Sequence, residues 1–159
     1  VRKLFELEVP EIKNGEVLIQ SVSREPGSRS KVAVYSRDEN IDAKGACVGQ
    51  RGSRVVRIME ELGGEKIDII PYSEDPAEFI TRALAPATVI STTLAEGEIK
   101  AATVIVPNQY LSLAIGNKGQ NAKLAAKLTG YKIDIKPEIP VPDKAEEESA
   151  EELGAEVAE

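Results

Sequence analysis

The sequence predicts an α+β fold of two tandem domains, each with a three-stranded sheet and helices packed on one face of it. A segment that begins at Cys47, CVGQRGSRVVRIMEELGGEKIDIIP, returns from Ala114 as AIGNKGQNAKLAAKLTGYKIDIKP, with Gly49 and Gly116 offset by 67 residues. Each copy follows an alternating apolar segment, KVAVYS or ATVIVP, which is typical of a β-strand. A duplication of this size indicates two similar domains, which we place at 1–72 and 73–137.

The first unit is predicted to run helix, strand, strand, helix, G-x-x-G turn, helix, strand. VRKLFELEV forms the opening helix, and GEVLIQSVS and KVAVYS form two strands around the turn REPGSRS. A short helix near 41–48 leads to the G-x-x-G turn. The helix after the turn has an apolar face at spacings of three and four, formed by Val55, Ile58, Met59 and Leu62. Gly63 and Gly64 end this helix, and KIDI at 66–69 begins the last strand.

The second unit repeats this order. DPAEFITRALAPA is predicted to be a helix with Asp75 as its N-cap and Pro76 at its first position. Its buried face is expected to consist of Phe79, Ile80, Ala83 and Leu84. ATVIST at 87–92 and ATVIVP form strands, a short helix covers 108–115, and KIDI at 132–135 is the last strand. The inward residues of the helix after the second turn are predicted to be Ala122, Ala125, Ala126 and Leu128 or Thr129.

Composition argues against several classes of protein. The 159 residues include one cysteine and no histidine, so an internal disulfide is impossible and a histidine- or cysteine-based metal site is not expected. We predict a buried structural role for Cys47, no cofactor and no enzymatic activity. No apolar segment has the roughly 18 residues of a membrane span, and no signal peptide is visible, which favours a cytoplasmic protein. The chain begins at Val1 without an initiator methionine, which leaves room for further domains upstream.

Charge is unevenly distributed along the chain. Residues 138–159 contain nine acids and one base, and we predict a disordered acidic tail there; the remaining 1–137 has 19 basic and 18 acidic residues. Between 45 and 59 there are three arginines and no acid, and between 99 and 133 five lysines and no acid. Both basic segments surround a G-x-x-G turn, so each turn is expected to attract an anion.

The G-x-x-G turns have the chemistry of a phosphate site. Glycines without Cβ atoms allow a polymer backbone to approach, and the start of the following helix favours negative charge. The G-K-[ST] ending of a nucleotide P-loop is absent, and two tandem copies suit a chain of phosphates. The predicted RNA-binding residues are Gly49, Gln50, Arg51, Gly52, Ser53 and Arg54 in the first unit, and Gly116, Asn117, Lys118, Gly119, Gln120, Asn121 and Lys123 in the second.

The two turns, VGQRG and IGNKG, resemble the loop with which K-homology (KH) domains clamp about four nucleotides of single-stranded nucleic acid. The order of elements resembles the prokaryotic type II topology of that module. Aromatic residues are only 4% of the chain, so we expect bases to rest on an aliphatic floor near Ile69 and Ile135 instead of stacking on exposed rings.

REPGSRSKVAVYS at 24–36 and DPAEFITRALAPA at 75–87, together with both turns, resemble the bacterial transcription factor family NusA (N-utilisation substance A) over residues 1 to about 137. The resemblance implies single-stranded RNA binding on the nascent transcript, and a role in pausing, termination and antitermination. It also implies that RNA polymerase is bound through domains outside this chain. We expect a monomer with no membrane contact.

Three alternatives stay open from sequence alone. A KH protein of ribosome assembly would carry a fused GTPase or more positive charge. An enzyme would need an activated nucleophile or a metal cluster, and the chain has no histidine to activate the one or to bind the other. A protein-binding scaffold with degenerate loops would carry acidic or bulky apolar residues in place of Gln50, Arg51, Asn117 and Lys118.

Overall fold

The computed structural model of the protein describes residues 1–140, in which both units follow the predicted order of elements. The helices of the first unit are Arg2–Glu8 (α1), Pro10–Lys13 (α2), Ala43–Val48 (α3) and Ser53–Glu61 (α4). Its strands are Val17–Glu25 (β1), Arg29–Ser36 (β2) and Lys66–Pro71 (β3). The short α2 was not predicted; it begins at a proline, which suits the first position of a helix.

The second unit has the helices Pro76–Ala83 (α5), Leu111–Ile115 (α6) and Gln120–Thr129 (α7). Its strands are Ser91–Leu94 (β4), Ala101–Val106 (β5) and Lys132–Pro137 (β6). The Asp75 side chain accepts a hydrogen bond from the amide of Ala77, which confirms the predicted N-cap of α5. None of the helices within residues 1–140 is long and apolar enough to cross a lipid bilayer.

One predicted strand is misplaced. We expected a strand over 87–92, whereas β4 begins at Ser91. The amide of Ala87 is bonded to the carbonyl of Leu84, so the chain is still completing the turn out of α5 at that point. Pairing with β5 becomes regular only where Ser91 lies opposite Ile105.

The two sheets have the same topology. In each, the first two strands pair antiparallel and the second and third pair in parallel. A parallel pair requires a crossover connection, and here the crossover is the helix–turn–helix that contains the G-x-x-G sequence. The registers are equivalent, since Arg29 pairs with Lys66 and Ala101 pairs with Lys132. The topology therefore places both turns at corresponding points of their units.

The core of the first unit lies between its helices and one face of its sheet. Its buried residues are Phe5, Val9, Val17, Val32, Val34, Cys47, Ile58, Ile67 and Ile69. The predicted face of α4 is confirmed, because Ile58 is buried and Val55, Met59 and Leu62 pack against the same cluster. Cys47 is fully buried, as predicted, and burial raises the pKa of its thiol to about 12.

The second core is shared between the units. It contains Phe79, Ile80, Ala83 and Leu84 of α5, as predicted, together with residues of β5, α6 and α7. It also contains Ala33 of β2 and Ile70 of β3, which belong to the first unit. Successive strand residues point to opposite faces, so Val32 and Val34 face the first core while Ala33 faces the second. The first sheet is therefore covered on both faces.

Polar contacts reinforce this junction. Ser23 Oγ donates to the carbonyl of Leu124 at 2.8 Å, and Ser21 Oγ donates to that of Leu128 at 3.3 Å. The fully buried Lys31 Nζ donates to Asp68 at 2.9 Å and to the carbonyl of Ala85 at 2.8 Å. Burial lowers the pKa of Lys31, and the charge of Asp68 opposes that shift. These bonds satisfy polar groups that the contact between the units removes from water.

The predicted inward face of α7 is partly wrong, because the first unit also packs against this helix. The buried residues are Asn121, Leu124, Ala125 and Leu128, whereas Ala122 and Ala126 are only half-buried. The backbone of α7 accepts hydrogen bonds from β1 at Leu124 and Leu128. The first unit thus covers a side of α7 that the second unit's own sequence pattern does not indicate.

Contacts with the second unit continue past Pro137, its predicted end. The amide of Glu138 donates to the carbonyl of Val106, and the side chain of Asn108 bonds both the amide and the carbonyl of Ile139 at 2.9 Å. These bonds involve the first two residues of the segment 138–159 that we predicted as an acidic tail. Its remaining residues, 141–159, lie outside the described part of the chain.

Candidate nucleic-acid interface

The two G-x-x-G turns have nearly the same backbone. Gly49 has φ 80° and ψ 172°, and Gly116 has φ 85° and ψ 168°. Arg51 (φ 55°, ψ 31°) and Lys118 (φ 57°, ψ 29°) are both left-handed, a conformation that costs a residue with a Cβ about 1–2 kcal/mol. A basic residue therefore takes the same left-handed backbone in each copy of the turn.

The two glycines of each turn have different roles. A Cβ on Gly49 would lie 2.8 Å from the amide nitrogen of Arg54, and one on Gly116 would lie 2.6 Å from that of Asn121. The first glycine is thus required by the close approach of the following helix. A Cβ on Gly52 would meet nothing nearer than 3.8 Å, so only its φ of 77° favours glycine. The open side of the turn, where a ligand backbone could approach, is at the second glycine.

The middle residues of both turns are accessible. Gln50 and Arg51 are exposed in the first turn, as are Asn117 and Lys118 in the second. No ion pair to Arg51, Lys118 or the exposed Lys123 is formed by any residue in the range 1–140. Each turn therefore presents an uncompensated positive charge to solvent. Ser53, at the start of α4, is also exposed.

Arg54 and Asn121 occupy equivalent positions, and both turn inward. Arg54 Nη1 donates to Glu11 at 2.9 Å and to the carbonyl of Ala46 at 2.8 Å. Asn121 is only 3% exposed, and its Nδ2 donates to the carbonyls of Leu84 and Ala114 at 3.1 and 2.9 Å. Through these hydrogen bonds the two side chains stabilise the turns. The placement of Asn121 is inconsistent with the predicted contact to RNA, and that of Arg54 leaves only part of its guanidinium available.

The predicted aliphatic floor is also placed differently. Ile69 is 6% exposed and belongs to the first core, so it offers almost no surface to a base. Ile135 is partly buried against the second core. The exposed aliphatic side chains beside the second turn are instead Leu113 and Ile115, at 44% and 37% exposure. The sequence placed both isoleucines on a strand but did not reveal how little surface the core leaves to Ile69.

The second turn has neighbours from the first unit that the sequence did not suggest. Gln120 Nε2 donates to Glu25 Oε1 at 2.9 Å and to Ser28 Oγ at 2.7 Å. Glu25 is the last residue of β1 and Ser28 lies in the connection between β1 and β2, more than 90 residues earlier in the chain. A groove of about 350 Å³ is lined by this connection and the second turn: Glu25, Ser28, Asn117, Lys118, Gln120 and Lys123.

The β1–β2 connection is held by a buried carboxylate. Glu65 has no exposed surface and accepts hydrogen bonds from Arg24, from Ser30 and from the amide of Gly27. The Arg24 hydrogen bonds, followed by those of Ser30 and Gly27, lower the pKa of Glu65 to about 2 against the effect of burial. The connection is therefore a fixed wall of the groove.

Two units of this topology, each with a G-x-x-G turn between two helices at the same point, define a tandem KH protein of the prokaryotic type. The family models described as "NusA-like first KH domain" and "NusA-like second KH domain" match residues 1–72 and 76–142. The chain belongs to the NusA family, of which it contains the two KH domains. The predicted fold and family are thereby confirmed.

Curated relatives agree with this assignment. The transcription termination/antitermination protein NusA of Mycobacterium tuberculosis is 55% identical over 93% of this chain and 43% of its own length. The NusA proteins of Bacillus subtilis and Thermus thermophilus are 56% and 51% identical over 87% and 94% of this chain, and over 37% and 38% of their own lengths. The chain thus spans less than half of these relatives.

A solved structure shows the same fold. The crystal structure of APE1850 matches with a TM-score of 0.60 and 23% identity, covering 84% of this chain and 94% of that one. At this identity the match shows the fold alone and not a shared activity.

Proposed function

We propose that this chain binds single-stranded RNA through both G-x-x-G turns, as part of a factor that acts on transcription pausing, termination and antitermination. The observation that supports this most directly is the repeated turn, which holds Arg51 or Lys118 in a left-handed conformation, exposed and without an ion-pair partner within residues 1–140. A KH turn of this kind clamps about four nucleotides through their backbone. The NusA relatives are named for termination and antitermination, and the RNA would be the nascent transcript.

Contact with RNA polymerase is assigned to parts of the longer protein outside this chain. The curated relatives contain more than half of their length beyond the matched region. We accordingly propose that this chain supplies RNA binding to the whole factor without chemistry of its own.

The experiment that tests the proposal is RNA binding by charge-reversal variants. A fluorescein-labelled pool of randomised 12-nucleotide RNA is titrated against the 159-residue protein and against the variants Gln50→Asp/Arg51→Asp and Asn117→Asp/Lys118→Asp. Both double variants should bind at least tenfold more weakly, because aspartate repels phosphate. Stability should change by about 1 kcal/mol or less, since the positions are exposed and aspartate tolerates a left-handed backbone.

The matched control is Lys100→Asp, an exposed lysine in the β4–β5 connection, which is placed at the opposite end of the second unit from its turn. It lowers the charge by two units, against three in each turn variant, and should retain most of the affinity. Wild-type affinity in folded turn variants, or an equal loss in Lys100→Asp, would contradict binding at the turns.

A further inference from the structure

Three of the six aromatic residues of the chain come together where the two units meet. Tyr72, Phe79 and Tyr131 line a pocket of about 230 Å³, which we call the tyrosine pocket. Ser21 of β1 and Thr129 of α7 also line it, so both units contribute to its walls. The volume is below the roughly 300–1,000 Å³ of small-molecule sites and suits a single amino-acid side chain.

The tyrosine pocket lies apart from both G-x-x-G turns. Leu128 and Thr129 line it at the carboxyl end of α7, whereas the second turn precedes the amino end of this ten-residue helix, about 15 Å away. Ser21 lies on the face of the first sheet that α7 covers, since its hydroxyl donates to the carbonyl of Leu128. The helices on either side of the first turn, α3 and α4, pack on the opposite face. RNA held at the turns therefore leaves the pocket open.

The ring of Tyr72 has a fixed orientation. Its centroid lies 4.9 Å from that of Phe79, in an edge-to-face arrangement, and 5.8 Å from that of Tyr35. The amide of Tyr72 donates to the carbonyl of Val34 at 2.8 Å, which also fixes its backbone. Tyr72 and Tyr131 are only partly buried, so part of each ring is accessible to a ligand. The face of such a ring carries partial negative charge and attracts cations.

The tyrosine pocket also has an acidic edge. Glu74 is the one charged residue among those that line it, and it is exposed. Its carboxylate forms no ion pair with any residue in the range 1–140. The loop around it is held in place, because Ser73 Oγ donates to Glu78 at 2.8 Å and accepts from the amide of Asp75 at 3.1 Å. An unpaired carboxylate beside aromatic faces attracts a cation and repels a phosphate.

We propose that the tyrosine pocket binds the guanidinium group of an arginine that a protein partner presents. A guanidinium is planar and weakly hydrated, so it stacks on a tyrosine face while its N–H groups donate to the carboxylate of Glu74. The ammonium of a lysine is a more strongly hydrated point charge and fits this combination less well. Nucleic acid is a poorer ligand, because no lysine or arginine lines the pocket to hold its phosphates. This protein-binding site does not depend on the RNA binding proposed above.

The test is an NMR titration of the isotope-labelled full chain with the blocked peptide acetyl-Gly-Gly-Arg-Gly-Gly-amide. The amide signals of Ser73, Glu74 and Tyr131 should shift as the peptide is added, and those of the two turns should not. The same peptide with citrulline in place of arginine has nearly the same shape but no charge. It should bind about fivefold more weakly or worse, which is the scale of one exposed ion pair or cation–π contact.

Variants of the pocket separate its two components. Glu74→Gln removes the charge and Tyr131→Leu removes a ring but keeps an apolar side chain. Each should weaken binding of the arginine peptide by about threefold or more. Affinity for the randomised RNA pool should stay unchanged in both. The matched control is Glu96→Gln, at an exposed position of the β4–β5 connection, which removes the same charge and should keep the wild-type affinity for the peptide.

Four results would overturn the proposal. They are an absence of shifts at the pocket, equal affinity for the arginine and citrulline peptides, an equal loss in Glu74→Gln and Glu96→Gln, and displacement of the bound peptide by RNA. The third would show only general attraction to an acidic surface. The fourth would assign the pocket to the RNA-binding surface instead of to a protein partner.

Discussion

At the scale of single residues, the G-x-x-G turns separate structural from functional requirements. The first glycine makes room for the protein's own backbone, while the residue two positions later carries the exposed charge in a left-handed conformation. The inward-turned Arg54 and Asn121 show that a basic or polar residue within the motif does not necessarily face the ligand. Charge alone was the basis for predicting that Arg54 binds RNA.

The two glycines of the first turn should therefore differ in their sensitivity to alanine. Gly52→Ala should cost about 1–2 kcal/mol of unfolding free energy, because only a left-handed φ is strained. Gly49→Ala should cost more, because its Cβ would also collide with the backbone of Arg54. Urea unfolding of the two variants measures the difference. Equal losses of stability would show that the collision is relieved by a small shift of α4.

At the scale of secondary-structure elements, the buried carboxylate of Glu65 ties the start of β3 to β1, β2 and the connection between them. Its pKa of about 2 in the folded protein lies below the ordinary value of 4.5. A carboxylate with a lowered pKa contributes stability that is fully present above 4.5 and is lost as pH falls toward 2.

Replacing Glu65 with glutamine should reveal this contribution. At pH 7, Glu65→Gln should be less stable than the wild type by about 2 kcal/mol, the scale of a hydrogen bond to a charged group. The difference should shrink between pH 5 and pH 2, because the wild type then loses the ionised carboxylate that the variant lacks. Denaturant unfolding across this range is the measurement, with Glu61→Gln, at an exposed position, as control. A pH-independent difference would contradict the assigned cause.

At the scale of the whole molecule, the two units form one body. Tyr72, Ser73 and Glu74 alone separate β3 from the N-cap of α5, and the second core includes Ala33 and Ile70 of the first unit. The boundary near residue 72 is therefore the boundary of a sequence repeat, and the second core extends across it.

Both units should consequently unfold in one transition. Ile70→Ala should destabilise the protein by about 2–4 kcal/mol, because it leaves a cavity where the units meet. Hydrogen exchange in β1 of the first unit and β5 of the second should accelerate together. NMR relaxation should likewise give one tumbling time for both. Faster exchange confined to one unit would show that the cores are independent.

The rigid pair should also favour one continuous RNA. Two clamps of about four nucleotides each would be filled by roughly ten nucleotides, and the second contact is then intramolecular. Affinity should rise steeply between oligonucleotides of about five and about ten nucleotides and little beyond. A gradual increase with length, as expected of general electrostatic binding, would contradict simultaneous use of both turns.

The acidic segment 141–159 is predicted to compete with RNA for the second unit. It carries eight acids and one base, and it follows a unit with exposed lysines at 118, 123, 127 and 132. Removal of 141–159 preserves the bonds between Asn108 and Ile139, and should tighten RNA binding at low salt. The gain should shrink as salt rises, because the Debye length is about 8 Å at physiological ionic strength.

The measured quantity is the ratio of the two affinities at each salt concentration, since RNA binding itself weakens with salt. A ratio of one throughout would leave the segment with a role in solubility alone.

The sequence by itself determined the repeat, the order of elements and the two basic turns. These features are local: glycines, helix caps and apolar spacing act within a few residues of one another, so they can be recognised from the sequence. Only the tertiary structure decided which surfaces meet. Periodicity shows that a face is buried but not what covers it, so the pattern did not reveal that Ala33 packs in the second core or that Leu124 of α7 faces inward. Nor could it bring Glu25 beside Gln120, because a contact across 95 residues depends on how the two folded units pack together.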